Sequence, residues 1–204
     1  MKTPNTYAIL VIAVAAVSSG LTFQAIGMEE DAPTGTADES GIYGHITATL
    51  YDEDGNVKAY RQTDNRIVDE GLDLLADRVF GTSLAPTAAS VVNTMAVGTG
   101  GGASAVGQTD LTSRAGLGGA CTNATAIVWS EGNAGTSLVN VTATESFLGS
   151  DNCDGAINEA ALFDAAGGSS GNMFARQSFG DITVGTSDQL DITWSIQIND
   201  DNDE

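Results

Sequence analysis

A strict alternation of apolar and polar residues near the C-terminus constrains this fold more than any other feature of the sequence. Every second residue over positions 190–198 is apolar, namely Leu190, Ile192, Trp194, Ile196 and Ile198. A period of two puts one set of side chains on each face of a β-strand, whereas a helix needs a period near 3.6 residues. The stretch therefore predicts a half-buried strand, with one face on a core and the other in water.

Strand signals of this kind recur along most of the chain. Ile46, Ala48 and Leu50 alternate with polar residues, and the acidic turn at 52–56 leads into a second strand over 57–63. Further strands, each bounded by Gly, Asn, Asp or Ser, are predicted at 94–97, 124–130, 136–148, 156–164 and 173–179. So many short strands with glycine-rich turns predict a mainly β fold, an antiparallel β-sandwich of the jelly-roll or immunoglobulin-like type.

One segment departs from the strand pattern. Apolar residues recur there at helical spacing, at Val68, Leu72, Leu75 and Val79. Asp69 is the predicted N-cap, and Gly81 is the predicted stop. The pattern predicts one short helix that crosses the sandwich.

The N-terminus has the features of an export leader. An apolar run over 7–27 follows Lys2 and is itself followed by three acids, and the positive side of such a segment stays in the cytoplasm. Small residues at Ala25 and Gly27 fit a signal-peptidase site, so cleavage is favoured and the mature chain is expected to begin near Met28. An uncleaved membrane anchor is the alternative, because a run of 21 residues can span a hydrocarbon core of about 30 Å. Both interpretations predict an extracellular or cell-surface location.

The remaining chain divides by composition. Residues 28–41 are acidic and lack any apolar period, which predicts a flexible arm after the leader of residues 1–27. Residues 199–204 form an acidic tail that cannot pack. The folded domain is therefore expected over 42–198, as one domain with one core.

The charge balance restricts the partners. Seven Lys and Arg stand against 27 Asp and Glu, for a formal charge of -20. Such a field repels phosphate backbones and anionic lipid headgroups, so neither nucleic acid nor a membrane surface is an expected partner. Membrane contact is expected only through residues 7–27, if they stay attached.

Two covalent modifications are expected in an exported chain. Cys121 and Cys153 are the only cysteines, and we predict that they form a disulfide, which the chain-entropy model values at about 3 to 4 kcal/mol for a loop of this length. Two unpaired thiols are the alternative. Asn123 and Asn140 each begin an N-glycosylation sequon, so both are candidate glycosylation sites.

Signals of catalysis are weak. His45 is the only histidine, so any Ser-His-Asp site would depend on it alone, and a structural or solvent-facing histidine is favoured. The run 98–103 superficially offers a dinucleotide loop, but residues 104–107 begin a helix poorly, so a flexible surface loop is favoured. With 27 acids in the chain, no pair of carboxylates stands out for glycoside hydrolysis. We therefore do not expect an enzyme.

Acidic turns are the better candidates for metal chemistry. Asp52, Asp54 and Asn56 alternate in one turn, while Asp151 and Asp154 lie in another. Calcium needs several oxygen ligands that converge at about 2.3 to 2.6 Å. Both turns are therefore candidate calcium sites, with solvated turn acids as the alternative, and no other cofactor is expected.

Three stretches together resemble a known pattern. Residues 52–81, the strand and loop MAVGTGGGASAVGQTDL, and residues 157–198 resemble tail-fibre and other virion-surface β-sandwich proteins of tailed viruses. Such virion proteins usually lack an apolar leader. With its leader, arm and glycosylatable sandwich, the layout is also similar to exported β-sandwich subunits of archaeal or bacterial surface filaments. That resemblance implies an arm that completes the sheet of a neighbouring subunit.

These features lead to three functional hypotheses. The first is an exported cell-surface structural subunit, a filament or coat component that forms a homo-oligomer or polymer. The second is a carbohydrate- or receptor-binding module whose loops recognise a glycan or a receptor, with a viral tail-fibre-like or virion-surface protein as one form of it. The third is a secreted hydrolase with paired carboxylates. Ordered polymers, retention of a ligand and turnover of a substrate distinguish the three.

Overall fold

A computed structural model describes residues 40–85, 90–114, 124–125, 127–132, 138–164 and 171–200. The chain divides into the units Met1–Thr36 and Ala37–Glu204, and every described residue belongs to the second unit. Several predicted features lie outside the described residues, namely the leader, positions 28–39 of the arm, Cys121, Asn123 and positions 201–204 of the tail.

The described residues form nine strands and one α-helix. Their bounds are β1 Ser40–Tyr51, β2 Val57–Ile67, α1 Asp69–Phe80, β3 Thr94–Gly98, β4 Ala124–Thr125, β5 Ser130–Gly132, β6 Leu138–Leu148, β7 Gly155–Phe163, β8 Met173–Val184 and β9 Gln189–Asp200. The strands form one antiparallel sheet in the order β4-β3-β7-β8-β2-β1-β9-β6-β5, which curves into a half-barrel. The prediction of a mainly β fold with a single helix is therefore confirmed for this part of the chain.

The long strand β2 joins two halves of the sheet. Along most of its length β2 pairs with β1, and near its end Arg66 and Ile67 pair with β8. We call β1, β2, β9, β6 and β5 the open half, and β8, β7, β3 and β4 the covered half. One core cluster contains residues from both halves.

The stretch 124–130 is predicted as one strand, but the structure divides it. Its first two residues form β4, whereas Ser130 begins β5 at the opposite end of the sheet order. Between these strands the backbone N–H of Ile127 donates to the carbonyl of Asn93 at 2.9 Å. The prediction of one strand over 124–130 is therefore wrong, and only Ser130 of that stretch pairs with β6, as part of Ser130–Gly132.

The open half follows the alternation seen in the sequence. Ile46, Ala48 and Leu50 of β1 are at most 2% exposed, and Trp194 of β9 is fully buried. The residues between them lie on the outer face, which is polar and reaches solvent. The predicted strand over 190–198 is confirmed, and β9 extends it at both ends.

Two strands of the covered half, β3 and most of β7, are buried on both faces. Every residue of β3 is buried, and so is every residue of β7 from Ile157 to Phe163. A second apolar cluster lies on the outer side and consists of Val68, Ala96, Leu111, Ala161, Phe163 and Met173. Since both faces need apolar side chains, these strands lack the period of two.

The helix lies where the sequence predicts it, and two residues of the predicted stripe, Val68 and Leu75, pack on the core. Its buried residues are Gly71 and Leu74, whereas Leu72 and Val79 of the predicted stripe are 52% and 67% exposed. A Cβ on Gly71 would lie 2.1 Å from the carbonyl oxygen of Phe174, so a glycine lets the helix approach β8 closely.

Of the two predicted helix caps, only the C-terminal one is confirmed. Gly81 ends the helix in the left-handed conformation, with φ of 66°, as the sequence predicts. The predicted N-cap is wrong, because Val68 occupies that position and Asp69 is already helical. The backbone N–H of Asp69 donates instead to the carbonyl of Val106 at 2.8 Å. Among the elements described above, no helix has the length and apolar composition needed to cross a membrane.

Candidate functional site

The first predicted calcium turn uses its central carboxylate to hold its own backbone. Asp52 Oδ1 accepts hydrogen bonds from the backbone N–H of Asp54 at 3.0 Å and of Asn56 at 2.8 Å. The side-chain amide of Asn56 donates to both oxygens of Asp52, at 3.2 and 3.1 Å. The bond from the Asn56 backbone is the main cause of a lowered pKa for Asp52. Both oxygens already have donors, which favours the solvated-turn alternative.

The second predicted turn carries its acids on the surface. Asp151 and Asp154 are exposed on either side of Cys153, which is 2% exposed. In the part of the chain that the structure describes, no group of three or more His, Cys, Asp or Glu side chains comes together as a metal site. Calcium binding at either turn stays a prediction.

The predicted covalent modifications are only partly visible. Cys153 is buried and lies in the segment that connects β6 to β7. Its predicted partner Cys121 lies outside the described residues. Asn140 lies in β6, and its side-chain carbonyl accepts a hydrogen bond from Ser195 Oγ at 2.8 Å. The disulfide and the glycosylation of Asn123 and Asn140 therefore stay predictions.

The glycine-rich run 98–103 begins a loop that covers the outer side of the covered half. No helix follows it in residues 104–114, so the geometry of a dinucleotide loop is not formed. Instead, the loop lies against a buried ion pair between Glu159 of β7 and Arg176 of β8, both with fully buried side chains. The loop lies on the surface, as expected, and hydrogen bonds attach it to Glu159 and Arg176.

Glu159 organises the backbone of this loop. Its Oε1 accepts from the backbone N–H of Gly100 at 3.0 Å and of Ser113 at 2.9 Å, and its Oε2 accepts from Thr112 at 3.1 Å. The same Oε2 accepts from Arg176 Nε at 2.9 Å. A buried carboxylate needs this number of donors, because burial without partners is costly.

Arg176 organises the carbonyls of the same loop. Its Nη2 donates to the carbonyls of Gly100 at 3.2 Å and Gly102 at 3.1 Å, and its Nη1 donates to Gln108 Oε1 at 2.9 Å. Every group of the pair has a partner, so the pair positions a loop and offers no free group for chemistry. In the sequence, the signal for it is a charged residue next to apolar ones in each of two strands, Glu159 in INEAALF and Arg176 in MFARQSF.

His45 is the centre of a row of polar side chains on the outer face of the open half. It lies opposite Asp64 of β2 on one side and Ser195 of β9 on the other. Its Nδ1 is 3.1 Å from Asp64 Oδ1. The sequence anticipated a solvent-facing histidine, but only the strand order brings these three residue types together.

The row has the composition of a catalytic triad without its geometry. Ser195 Oγ donates to Asn140, and the structure shows no hydrogen bond between Ser195 and His45. A tetrahedral intermediate also needs free N–H donors, whereas backbone N–H groups in a central strand belong to the sheet ladder. In the structure, Ser195, His45 and Asp64 therefore do not form a Ser-His-Asp relay.

A polar cleft of about 240 Å³ lies over this row. Its walls are formed by Tyr43, His45, Asp64, Ser195 and Gln197, together with the backbone at position 44. Tyr43 and Gln197 are neighbours across β1 and β9, so the cleft spans two adjacent rows of the sheet. All of its side chains come from rigid strands.

An apolar groove of about 350 Å³ lies elsewhere, between α1, residues 90–92 and the end of the open half. Its lining includes Leu75, Val91, Val92, Trp129, Val141 and Ile198. Trp129 is fixed by a hydrogen bond from its Nε1 to the carbonyl of Val92 at 2.7 Å. Val91 and Ile198 are 55% and 46% exposed, so the groove is open to solvent within the described structure.

The rim of the groove carries one cation, Arg78 of α1. Within the described residues, Arg78 makes no ion pair, whereas Lys58, Arg114 and Arg176 each have an acidic partner. The groove thus combines an apolar floor with a positive charge on its rim.

Comparison with protein-family models, with curated proteins and with solved structures gives no match to this chain.

Proposed function

We propose that this chain is an exported structural subunit of a cell-surface assembly, a filament or a coat. The observation that carries the proposal is the apolar groove, in which Val91 and Ile198 are 55% and 46% exposed to water. Contiguous exposed apolar surface on a soluble domain marks an interaction site. An assembly contact would remove this surface from water.

The proposed occupant of the groove is a second copy of the chain. The charge of -20 disfavours nucleic acid and anionic lipid as partners. Arg78 on the rim favours a partner that brings carboxylates, and every copy of this chain carries 27 Asp and Glu. A segment that combines apolar and acidic residues suits this groove.

Fewer residues near the N-terminus are available as a donated strand than the sequence suggests. β1 begins at Ser40 and pairs with β9 and β2 of its own chain, so it is not available to a neighbour. A donated strand would have to come from residues 28–39. The recipient edge would be β6, where β5 covers only Asn140–Thr142.

We also infer that the half-barrel closes as an antiparallel β-sandwich, in agreement with the resemblance to surface-filament subunits. Support comes from the single core cluster shared by both halves. It comes also from β4 and β5, which end opposite sides of the sheet order but are separated by only residues 126–129 in the chain. Such a short connection requires the two ends of the sheet to approach each other.

The test compares two valines with similar exposure. Val91 lines the groove and is 55% exposed, while Val57 lies at the start of β2 and is 59% exposed. Val91→Glu and Val57→Glu add the same charge at sites of similar burial. Using the mature chain, we expect negative-stain microscopy and light scattering to show multimers for wild type and for V57E, and subunits alone for V91E.

The ionic strength of the assay is part of the test. Copies with a charge of -20 repel each other, and salt at about 0.15 M screens that repulsion beyond about 8 Å. Assembly is therefore expected to increase with salt. The absence of multimers at every salt concentration would refute the structural role, as would equal assembly of V91E and V57E.

A further inference from the structure

We propose that the polar cleft over His45 is a binding site for a neutral saccharide. The inference goes beyond the structural role, because it concerns a different face of the molecule. The cleft lies on the outer face of the open half, while the apolar groove lies beside α1. It also differs from recognition by loops, since every side chain of the cleft comes from a strand.

The cleft offers the groups that a sugar ring needs. Asp64 accepts hydrogen bonds from hydroxyls, Gln197 both donates and accepts, and the imidazole of His45 presents a second ring nitrogen beyond its contact with Asp64. Asp64 has a side chain that is 89% exposed, so it can turn toward a ligand. Because these polar groups are carried by strands, they can orient a bound sugar with little loss of conformational entropy.

Tyr43 supplies an apolar wall for the C–H face of a sugar. It is 45% exposed, and its ring lies over Gly41, where a Cβ would be 3.2 Å from the ring. The missing side chain at Gly41 therefore leaves room for the ring to lean along the strand. An aromatic side chain that is half exposed beside hydroxyl-binding groups combines the two contacts that saccharides make.

The charge of the site limits the class of saccharide. Asp64 stands in the cleft and the chain carries a formal charge of -20, so sialylated or uronic sugars meet a repulsive field. Neutral hexoses and N-acetylhexosamines carry no such cost. The structure thus favours neutral over anionic sugars.

Two sources could supply a saccharide of this chemistry. It can be a free glycan, or it can be the chain's own glycan at Asn140, which lies opposite Gln197 across β6 and β9. Asn140 already contacts Ser195 of the cleft. A glycan attached there would begin at the edge of the same site.

The experiment uses the full mature chain and two tyrosines of the same face. Tyr43 and Tyr60 are 45% and 50% exposed, and Tyr60 lies opposite Thr49, about 20 Å farther along the strand. Binding is measured by isothermal titration with neutral oligosaccharides of glucose, mannose, galactose and N-acetylglucosamine, and with a sialylated oligosaccharide. We expect Tyr43→Ala to weaken binding about tenfold and Tyr60→Ala by less than about twofold. Gln197→Ala is a second cleft variant. It keeps the aromatic ring of Tyr43 and is also expected to weaken binding.

Two forms of the protein separate the sources. One comes from a host without N-glycosylation, and the other from a host that glycosylates the sequon, with Thr142→Ala removing the sequon while keeping Asn140. Binding by both forms identifies a free ligand, whereas binding only by the unglycosylated form and T142A shows that the Asn140 glycan occupies the cleft. The proposal is overturned if no form binds any neutral oligosaccharide, if Y43A and Y60A weaken binding equally, or if the sialylated probe binds best.

Discussion

The open half and the covered half of the sheet are built from the same antiparallel pairing, yet they bury different numbers of faces. In the open half, inward side chains such as Ile46 and Trp194 form the core while outward ones such as Thr47 and Ser195 reach water. In the covered half, the loop after β3 lies over the outer face and buries it as well. A strand with one wet face can be recognised from its period, and a strand with two dry faces cannot.

The halves also handle charge in opposite ways. The pair of His45 and Asp64 on the open half is exposed, at 42% and 89% of the side chains, and remains close to water. The pair of Glu159 and Arg176 on the covered half is fully buried and holds a loop in place. Burial makes the second pair costly to break, because one partner left alone is an uncompensated charge.

The largest expected effect comes from breaking the buried pair. Arg176→Met leaves Glu159 charged and buried, so the free energy of unfolding is expected to fall by about 3 to 5 kcal/mol in urea titrations. The matched change on the open half, His45→Ala, removes an exposed pair and is expected to cost less than about 1 kcal/mol. Amide exchange of Gly100 and Ser113 should accelerate in R176M, since both donate to Glu159.

A double change sharpens the same comparison. Glu159→Gln added to R176M removes the stranded charge and is expected to recover part of the lost stability. If R176M costs no more than H45A, the ion pair does not hold the covered half, and the contrast between the halves is wrong.

A smaller effect is expected where the helix covers β8. Gly71→Ala places a methyl group 2.1 Å from the Phe174 carbonyl, and this overpacking is expected to destabilise the fold by about 2 kcal/mol. Gly107 has nothing within 4 Å of its Cβ position, so Gly107→Ala is the control and should change stability by less than about 0.5 kcal/mol. Thermal and urea unfolding measure both. Equal stability of the two variants would show that α1 is not packed on β8 in this way.

The smallest effect concerns the one carboxylate on the inner side of β6. Glu145 alternates with buried Ala143 and Phe147, and burial raises its pKa. The folded state therefore favours the protonated form of Glu145, and the contribution of Glu145 to stability falls as the pH rises above the ordinary pKa of 4.5 toward the raised pKa. Glu145→Gln is expected to stabilise the protein by about 0.5 kcal/mol at pH 7 and not at pH 3. A stabilisation that is equal at both pH values would point to packing instead of ionisation.

Local sequence signals located more of the structural elements in the open half than in the covered half. Alternation located β1 and β9, and Gly81 located the end of the helix, because these signals depend on a few neighbouring residues. No local signal indicated that residues 124–130 divide between opposite ends of the sheet. The residue types in this stretch are compatible with a strand at either end. The helix was placed correctly, but its buried face was predicted only in part, because Gly71 faces β8 only through the close approach of two backbones.

The candidate sites depend even more on long-range pairing. The sequence singled out His45 as the only histidine, but Asp64 and Ser195 are 19 and 150 residues away from it in the chain and meet it only through the order of β2, β1 and β9. Glu159 and Arg176 are closer in sequence, yet their loop partners come from residues 100–113. No spacing rule along the chain connects such groups.

The sequence by itself determined the strand content, the single helix and its C-terminal cap, and the acidic surface charge. These properties depend on local conformational preference and on composition, which are present in any short window of the chain. The tertiary structure alone decided which face of each strand is dry, which charges are buried as a pair, and which side chains share the polar cleft and the apolar groove. Those outcomes depend on which strands become neighbours, and pairing between distant segments is set by the fit of the whole core rather than by any one segment.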